Sequence, residues 1–149
     1  MNSQKLLPTH YLLFAILIMV VLHLLFPGAI LVPLPWSLLG LVALAGGIVV
    51  NLMADSAFHK AGTTVKPFQE STALITDGVF RISRNPMYLG FVLVLIGIAV
   101  LLGSLTLWII VPLFAILMDR VFISVEERML QARFGQAWAE YKAQVRRWI

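Results

Sequence analysis

The sequence predicts an all-α integral membrane protein with four transmembrane helices, a hairpin between the third and fourth helices, and a cytoplasmic helical tail. Hydrophobic residues make up 60% of the 149 residues and charged residues only 12%, about half the charged fraction of a typical soluble domain. The apolar residues form four stretches, each close to the roughly 20 residues that a helix needs to cross a bilayer. All 11 lysines and arginines fall on one side of this topology, as the positive-inside rule requires.

The first two helices are predicted at residues 6–26 and 35–53. The first stretch follows Lys5 without a small-residue cleavage site, so we expect it to remain as a span and not to be removed as a signal peptide. Pro27 ends this helix, and Pro35 suits the first turn of the next one.

Small residues in the second helix, Gly40, Gly46 and Gly47, permit close packing against another helix. Packing within the chain is favoured over packing in a dimer, and the oligomeric state is left open.

The third and fourth helices are predicted at residues 86–102 and 105–123. Because only Gly103 and Ser104 separate them, the two helices are expected to form a tight antiparallel hairpin. Pro112 lies inside the fourth stretch, where we expect it to kink the helix.

The cytoplasmic tail, residues 124–149, is predicted to contain helices at residues 125–134 and 136–145, with Gly135 as a C-cap between them. Large apolar and aromatic residues recur along the tail at helical spacing. This stripe either anchors the tail in the lipid headgroup layer or closes over a pocket, and it consists of Trp138, Tyr141, Val145 and Trp148.

The distribution of basic residues sets the orientation. None of them lies in the connections at residues 27–34 and 103–104. Both termini and the loop of residues 54–85 are therefore predicted to be cytoplasmic, and the net charge of +4 reflects topology and not nucleic-acid binding. The residues that carry this prediction are Lys5, Lys60, Lys66, Arg81, Arg84, Arg120, Arg128, Arg133, Lys142, Arg146 and Arg147.

Signatures of several other functions are absent from the sequence. There is no cysteine, which excludes disulfides and thiolate chemistry. No glycine-rich nucleotide-binding turn or GxSxG motif occurs, and His10, His23 and His59 are too dispersed to predict a metal site. The apolar stretches hold almost no ionisable residue away from their ends, which argues against a proton-coupled transporter. The chemistry is therefore expected at the cytoplasmic face.

Two polar clusters border the apolar stretches on this face, Arg84-Asn85-Pro86-Met87-Tyr88 and Glu126-Glu127-Arg128-Met129-Leu130. Residues 58–64 and 74–80 precede them, and Phe134-Gly135 and residues 141–146 follow. In this order and spacing the chain resembles the isoprenylcysteine carboxyl methyltransferase family, together with its bacterial relatives and the phospholipid N-methyltransferases. The resemblance covers residues 58–147.

The resemblance implies a membrane methyltransferase that depends on S-adenosylmethionine, with a bacterial inner membrane as its expected location. Such enzymes bind the cofactor between the ends of the last two transmembrane helices and the C-terminal tail. The implied acceptor is lipophilic, either an isoprenylcysteine-like carboxylate or a lipid amine. Glu126 matches the glutamate that contacts the cofactor. The other residues that match cofactor-binding positions are Thr72, Ala73, Leu74, Ile75, Phe80, Asn85, Pro86, Met87 and Tyr88.

The predicted hairpin independently indicates a site at the same place, because it brings residues 85–88 beside Glu126. A carboxylate, an amide, aromatic rings and nearby arginines complement the amino group, hydroxyls, carboxylate, adenine and sulfonium of the cofactor. The chain departs from the eukaryotic members at three positions: Asn85 and Phe80 replace a histidine and a tyrosine, and Phe122 replaces a substrate-binding arginine.

The candidate catalytic residues depend on the acceptor. A carboxylate acceptor needs only a cation to align it, and Arg120 and Arg146 are the candidates. An amine acceptor needs a base that removes a proton, and Glu127 is the nearest candidate. Taken alone, Glu126 and Glu127 are also typical of a solvated helix face paired with neighbouring arginines.

Two other functions are kept open. An NADPH-dependent membrane reductase of similar fold would need clustered arginines for the 2′-phosphate, whereas the basic residues of the loop are scattered. A non-catalytic membrane scaffold or binding protein would tolerate the change Glu126→Gln, which should abolish cofactor binding in a methyltransferase.

Overall fold

The structure, a computed structural model, describes residues 6–63 and 71–149, and these residues are helical apart from loops and one isolated bridge. Lys5, Thr64 and Lys66, which contributed to the predicted orientation or to the resemblance, lie outside the described residues. The helices are α1 (Pro8–Leu25), α2 (Gly40–Lys60), α3 (Pro86–Leu102), α4 (Ile110–Met118) and α5 (Ser124–Gln144). The 3₁₀ turns are Trp36–Leu39, Gly78–Arg81 and Leu105–Ile109, and a π-helical segment, Asp119–Ile123, joins α4 to α5.

Three helical segments of the described chain are long and apolar enough to cross a membrane: Pro8–Leu25, Trp36–Lys60 and Leu105–Gln144. The fourth apolar helix, α3, has only 17 residues and is therefore about 26 Å long at 1.5 Å per residue. A bilayer core is about 30 Å thick. The membrane fold is thus supported, and a fourth crossing stays a prediction.

Helix α2 continues to Lys60, beyond the predicted end at residue 53. The predicted loop of residues 54–85 therefore begins inside a helix. The extension is held by packing, because Ala54 is fully buried and Phe58 contacts Phe80 edge to face, with ring centroids 5.6 Å apart. Hydropathy alone does not detect it, since the last turns of α2 carry polar residues.

After its 3₁₀ start, Leu105–Ile109, the helical segment that ends at Gln144 departs from α-helical geometry at two places. One is the π-helical segment, where the Ser124 hydroxyl donates a hydrogen bond of 2.7 Å to the Asp119 carbonyl. The other is Gly135, whose φ of 48° and ψ of −115° break the tail helix where the sequence predicts a break. Pro112 lies in the first turn of α4, a position that tolerates proline.

Helices α2 and α3 pack closely through glycines spaced by seven residues. Gly40 lies against Gly97, and Gly47 lies against Gly90. A Cβ atom at Gly47 would come within 2.5 Å of the Gly90 carbonyl oxygen, whereas a Cβ atom at Gly46 would meet no atom within 4 Å. Gly40 and Gly47 therefore serve packing within the chain.

The connection between α3 and the following helix turns back at Gly103, which has a φ of 71°. Its carbonyl accepts a hydrogen bond of 2.8 Å from the Leu31 amide, so the two predicted non-cytoplasmic connections lie together. At the opposite end, the Tyr88 ring of α3 stacks 6.2 Å from the Phe122 ring. The start of α3 and the start of α5 are thereby brought side by side.

Candidate functional site

A cavity of about 730 Å³ lies where α3 and α5 begin. Five parts of the chain contribute to its wall: the start of α1, the end of α2, the loop before α3, the first turns of α3, and one face of α5. Its wall is mainly apolar, and Arg84, Asn85, Glu126 and Arg133 are prominent among its polar residues.

The predicted cofactor-binding residues line this cavity, with one exception. They are Ala73, Leu74, Ile75, Phe80, Asn85, Pro86, Met87, Tyr88 and Glu126. Thr72 is exposed and does not line the cavity. Its amide instead donates a hydrogen bond of 2.9 Å to the Thr63 hydroxyl, which joins the loop to the end of α2.

Glu126 and Tyr88 form the polar centre of the wall. The Tyr88 hydroxyl donates a hydrogen bond of 2.8 Å to Oε1 of Glu126. Glu126 lies beyond the predicted membrane-spanning residues 105–123, and burial raises the pKa of its carboxyl group to about 7 although the Tyr88 hydrogen bond acts in the opposite direction. This carboxyl group therefore changes charge near neutral pH.

Aromatic side chains of the tail close one side of the cavity. Trp138 and Tyr141 are buried, with ring centroids 5.7 Å apart, and both line the cavity. The Tyr141 hydroxyl donates a hydrogen bond of 2.6 Å to the Phe80 carbonyl. Of the two alternatives for the tail stripe, the structure thus supports closure over a pocket for these two residues.

A network of ion pairs lies behind the cavity wall. Glu127 is buried, with Oε1 3.0 Å from Nη2 of Arg84 and Oε2 2.6 Å from Nη2 of Arg147. Nη1 of Arg147 also lies 3.1 Å from Oδ1 of Asp119. The pKa of Arg147 is raised, chiefly by its hydrogen bond to Glu127. Glu127 does not line the cavity, so its predicted role as a base requires one of these ion pairs to open.

The predicted acceptor cations lie away from the cavity. Arg120 is exposed and borders a separate hollow of about 450 Å³ with Asp119, Arg147 and Trp148. Arg146 is also exposed, and its backbone carbonyl accepts a hydrogen bond of 3.1 Å from the Arg84 amide. The structure therefore brings together the predicted cofactor residues but not the predicted catalytic residues.

Several cavity residues were not predicted. Some could have been found from helical spacing, because Met129, Leu130 and Arg133 follow Glu126 by three, four and seven residues on one face of α5. Others reach the cavity through tertiary packing, and the sequence did not assign them to the site. These are Phe58 at the end of α2 and Leu7, Pro8 and Thr9 at the start of α1.

The cavity wall offers a carboxylate, an amide, guanidinium groups and aromatic rings. This set suits a ligand that combines hydrogen-bond donors, a carboxylate, a positive charge and a flat ring system. No cluster of three or more potential metal-ligating side chains occurs among residues 6–63 and 71–149.

Sequence comparison finds methyltransferases. A family model described as phospholipid methyltransferase matches residues 36–137. The protein-S-isoprenylcysteine O-methyltransferase of Schizosaccharomyces pombe is 28% identical over 112 residues, which cover 73% of this chain and 46% of that protein. A probable protein-S-isoprenylcysteine O-methyltransferase of Oryza sativa subsp. indica is 31% identical over 118 residues, covering 73% and 58%. An uncharacterized protein of Haemophilus influenzae is 35% identical over 63 residues and is matched over its whole length.

Structural comparison finds the same fold. The eukaryotic intramembrane Ras methyltransferase ICMT superposes with a TM-score of 0.68 at 22% identity, covering 100% of this chain and 53% of that protein. The chain thus spans about half the length of the isoprenylcysteine methyltransferases that it matches.

Proposed function

Because the chain belongs to the phospholipid methyltransferase family, we propose that it transfers a methyl group from S-adenosylmethionine to a lipophilic acceptor at the cytoplasmic face of a bacterial inner membrane. The observation that carries the proposal is the cavity of about 730 Å³, in which residues from the loop, α3 and α5 meet around Glu126.

The residues of the cavity fit this cofactor. Glu126 is the acceptor for its amino or hydroxyl groups, and Asn85 offers a neutral amide. Phe80 and Trp138 offer aromatic surface to an adenine ring or a sulfonium cation. When it is bound, S-adenosylmethionine supplies an electrophilic methyl group.

The protein contributes chiefly by positioning. A methyl transfer by in-line displacement requires the acceptor atom to be aligned with the bond that breaks, and fixing this alignment can supply a large share of the rate enhancement. The apolar residues Leu7, Pro8 and Phe91 give the cavity a wall suited to a hydrocarbon chain. Leu7 is 41% exposed, so we propose that the acceptor enters past the start of α1 from the bilayer.

The acceptor decides which polar residues act on it. For a carboxylate, Arg120 and Arg146 remain our candidates for alignment, and both must then act from outside the cavity described above. For an amine, Glu127 remains the candidate base, after release from Arg84 or Arg147. NADPH reduction and a scaffold role are the competing functions.

The first experiment is isothermal titration of S-adenosylhomocysteine into the purified protein in nanodiscs. Saturable binding is expected for the wild type and for Glu140→Gln, an exposed glutamate on the same helix, and loss of binding is expected for Glu126→Gln. Binding of NADPH instead would favour the reductase, and a folded protein that binds neither nucleotide would contradict both enzymatic functions.

A second experiment identifies the acceptor. Membranes or defined acceptors are incubated with the protein and S-adenosylmethionine carrying a labelled methyl group. A carboxyl methyl ester releases labelled methanol in base, whereas a methylated lipid amine retains its label. Absence of any labelled lipophilic product, with cofactor binding intact, would contradict the proposed transfer.

A further inference from the structure

We propose that Glu127 is a positioning residue that holds the C-terminal segment, residues 145–149, against the residues that begin α3. The proposal rests on the proposed function, because the wall that it positions belongs to the cavity assigned to S-adenosylmethionine. In this role Glu127 does not contact the reacting groups.

The location of Glu127 supports this role. Its side chain is only 7% exposed and lies between two arginines from distant parts of the sequence, Arg84 before α3 and Arg147 after α5. The side chain of Arg84 is also 7% exposed. Because neither charge can be solvated freely, each depends on the other, and the carboxylate fixes both arginines in place.

The backbone of the C-terminal segment makes a second set of contacts. The Arg147 carbonyl accepts hydrogen bonds from Nδ2 of Asn85 at 3.1 Å and from the Ser83 hydroxyl at 3.3 Å. The Arg146 carbonyl accepts one from the Arg84 amide at 3.1 Å. The ion pair between Glu127 and Arg147 thus fixes the segment that orients Asn85.

The same arginine reaches the tail side of the cavity. Nη1 of Arg84 donates a hydrogen bond of 3.2 Å to the Lys142 carbonyl, and its guanidinium carbon lies 5.7 Å from the ring centroid of Trp138. Arg84, Asn85 and Trp138 all line the cavity, whereas Glu127 and Arg147 do not. Loss of the ion pair should therefore loosen the wall without removing a group that touches the ligand.

The test uses Arg147→Gln, because Glu127→Gln leaves Arg84 buried without its counter-charge and can unfold the protein. With the full-length protein in nanodiscs, we expect the KM for S-adenosylmethionine to rise at least tenfold while kcat changes less than twofold. Arg147→Lys keeps the charge and should restore the KM to within threefold of the wild type. Arg81→Gln removes an exposed arginine and should leave both constants unchanged.

Hydrogen exchange tests the positioning without the cofactor. In Arg147→Gln the Arg84 and Asn85 amides should exchange at least tenfold faster, while amides in the middle of α3 keep their protection. An unchanged rate at Arg84 would overturn the proposal even if the protein is an active methyltransferase. If the wild type binds no cofactor, the proposed function fails and the exchange result still decides whether the ion pairs of Arg147 with Glu127 and Asp119 hold the segment. A fall in kcat equal to the rise in KM would also overturn the positioning role, because it would indicate action on the reaction itself.

Discussion

A half-buried carboxyl group, that of Glu126, lies in the wall of the cavity. Glu126 faces a mainly apolar wall, and burial raises its pKa to about 7. The ammonium group of bound S-adenosylhomocysteine pairs with the ionised carboxylate, so binding below this pKa must release a proton.

The affinity for S-adenosylhomocysteine should therefore depend on pH. Since the carboxylate is the binding form, affinity is expected to rise as pH increases through about 7, by up to about tenfold per pH unit on the acidic side. Titration calorimetry between roughly pH 5.5 and 8.5 measures the profile, and any binding that remains in Glu126→Gln should show no such rise. A flat wild-type profile would contradict an ionised Glu126 as the binding group.

The hydroxyl of Tyr88 should strengthen this site. Its hydrogen bond of 2.8 Å stabilises the Glu126 carboxylate, and hydrogen bonds to charged groups contribute about 1.5–3 kcal/mol. Tyr88→Phe should therefore weaken binding of S-adenosylhomocysteine about tenfold or more at pH 7 and move the pH profile upwards. Tyr11→Phe is the matched control, because the Tyr11 ring packs edge to face on Phe122 at 5.5 Å and does not line the cavity. Equal affinities of the two variants for S-adenosylhomocysteine would show that the Tyr88 hydroxyl does not contribute to binding.

At the scale of the helices, glycine spacing carries the packing of α2 on α3. Gly47→Ala would place a methyl group 2.5 Å from the Gly90 carbonyl oxygen and 2.8 Å from the Val94 amide nitrogen. Backbone atoms cannot yield as side chains do, so we expect a loss of about 1–3 kcal/mol of stability. Gly46→Ala meets no atom within 4 Å and should be neutral or slightly stabilising, because alanine favours a helix over glycine. Thermal unfolding in detergent compares the two, and equal melting temperatures would contradict this packing.

The sequence predicts the bounds of α3 and the break at Gly135 because proline and glycine act locally. It does not predict which side of α5 faces the cavity. The π-helical segment Asp119–Ile123 contains one more residue per hydrogen-bonded turn than an α-helix and rotates the following residues by about 100°. Adjacent glutamates also differ by about 100° in direction. Glu126 consequently faces the cavity while Glu127 faces Arg147, and Arg120 lies on another side.

The cavity wall was predictable where consecutive residues form it and not where distant segments meet. Residues 85–88 and Glu126 border predicted helices, so their proximity followed from the predicted hairpin. Phe58 enters the cavity only because α2 extends past its apolar part. Trp138 is 2% exposed because it packs beneath Arg84, a contact between segments far apart in sequence.

At the scale of the whole molecule, the contacts between the α1–α2 connection and the connection after α3 bear on how many helices cross the membrane. The Leu105 amide donates a hydrogen bond of 2.9 Å to the Ala29 carbonyl, and Ile30 forms a bridge with Ser104. The connection between α1 and α2 therefore lies at the same end of the bundle as the connection after α3. Since α3 runs antiparallel along α2, with Gly90 beside Gly47 and Gly97 beside Gly40, its 17 residues extend through the height of the bundle.

Four crossings should consequently place these two connections outside and the tail inside. The chain has no cysteine, so single cysteines can be introduced at the exposed positions Ala29, Leu105 and Ala143 and labelled in intact cells with a membrane-impermeant maleimide. Ala29→Cys and Leu105→Cys should react in intact bacterial spheroplasts, and Ala143→Cys only after permeabilisation. If α3 did not cross and the other three segments did, Leu105→Cys would be protected while Ala29→Cys and Ala143→Cys both reacted, which would require the contacts between the two connections to be absent in the membrane.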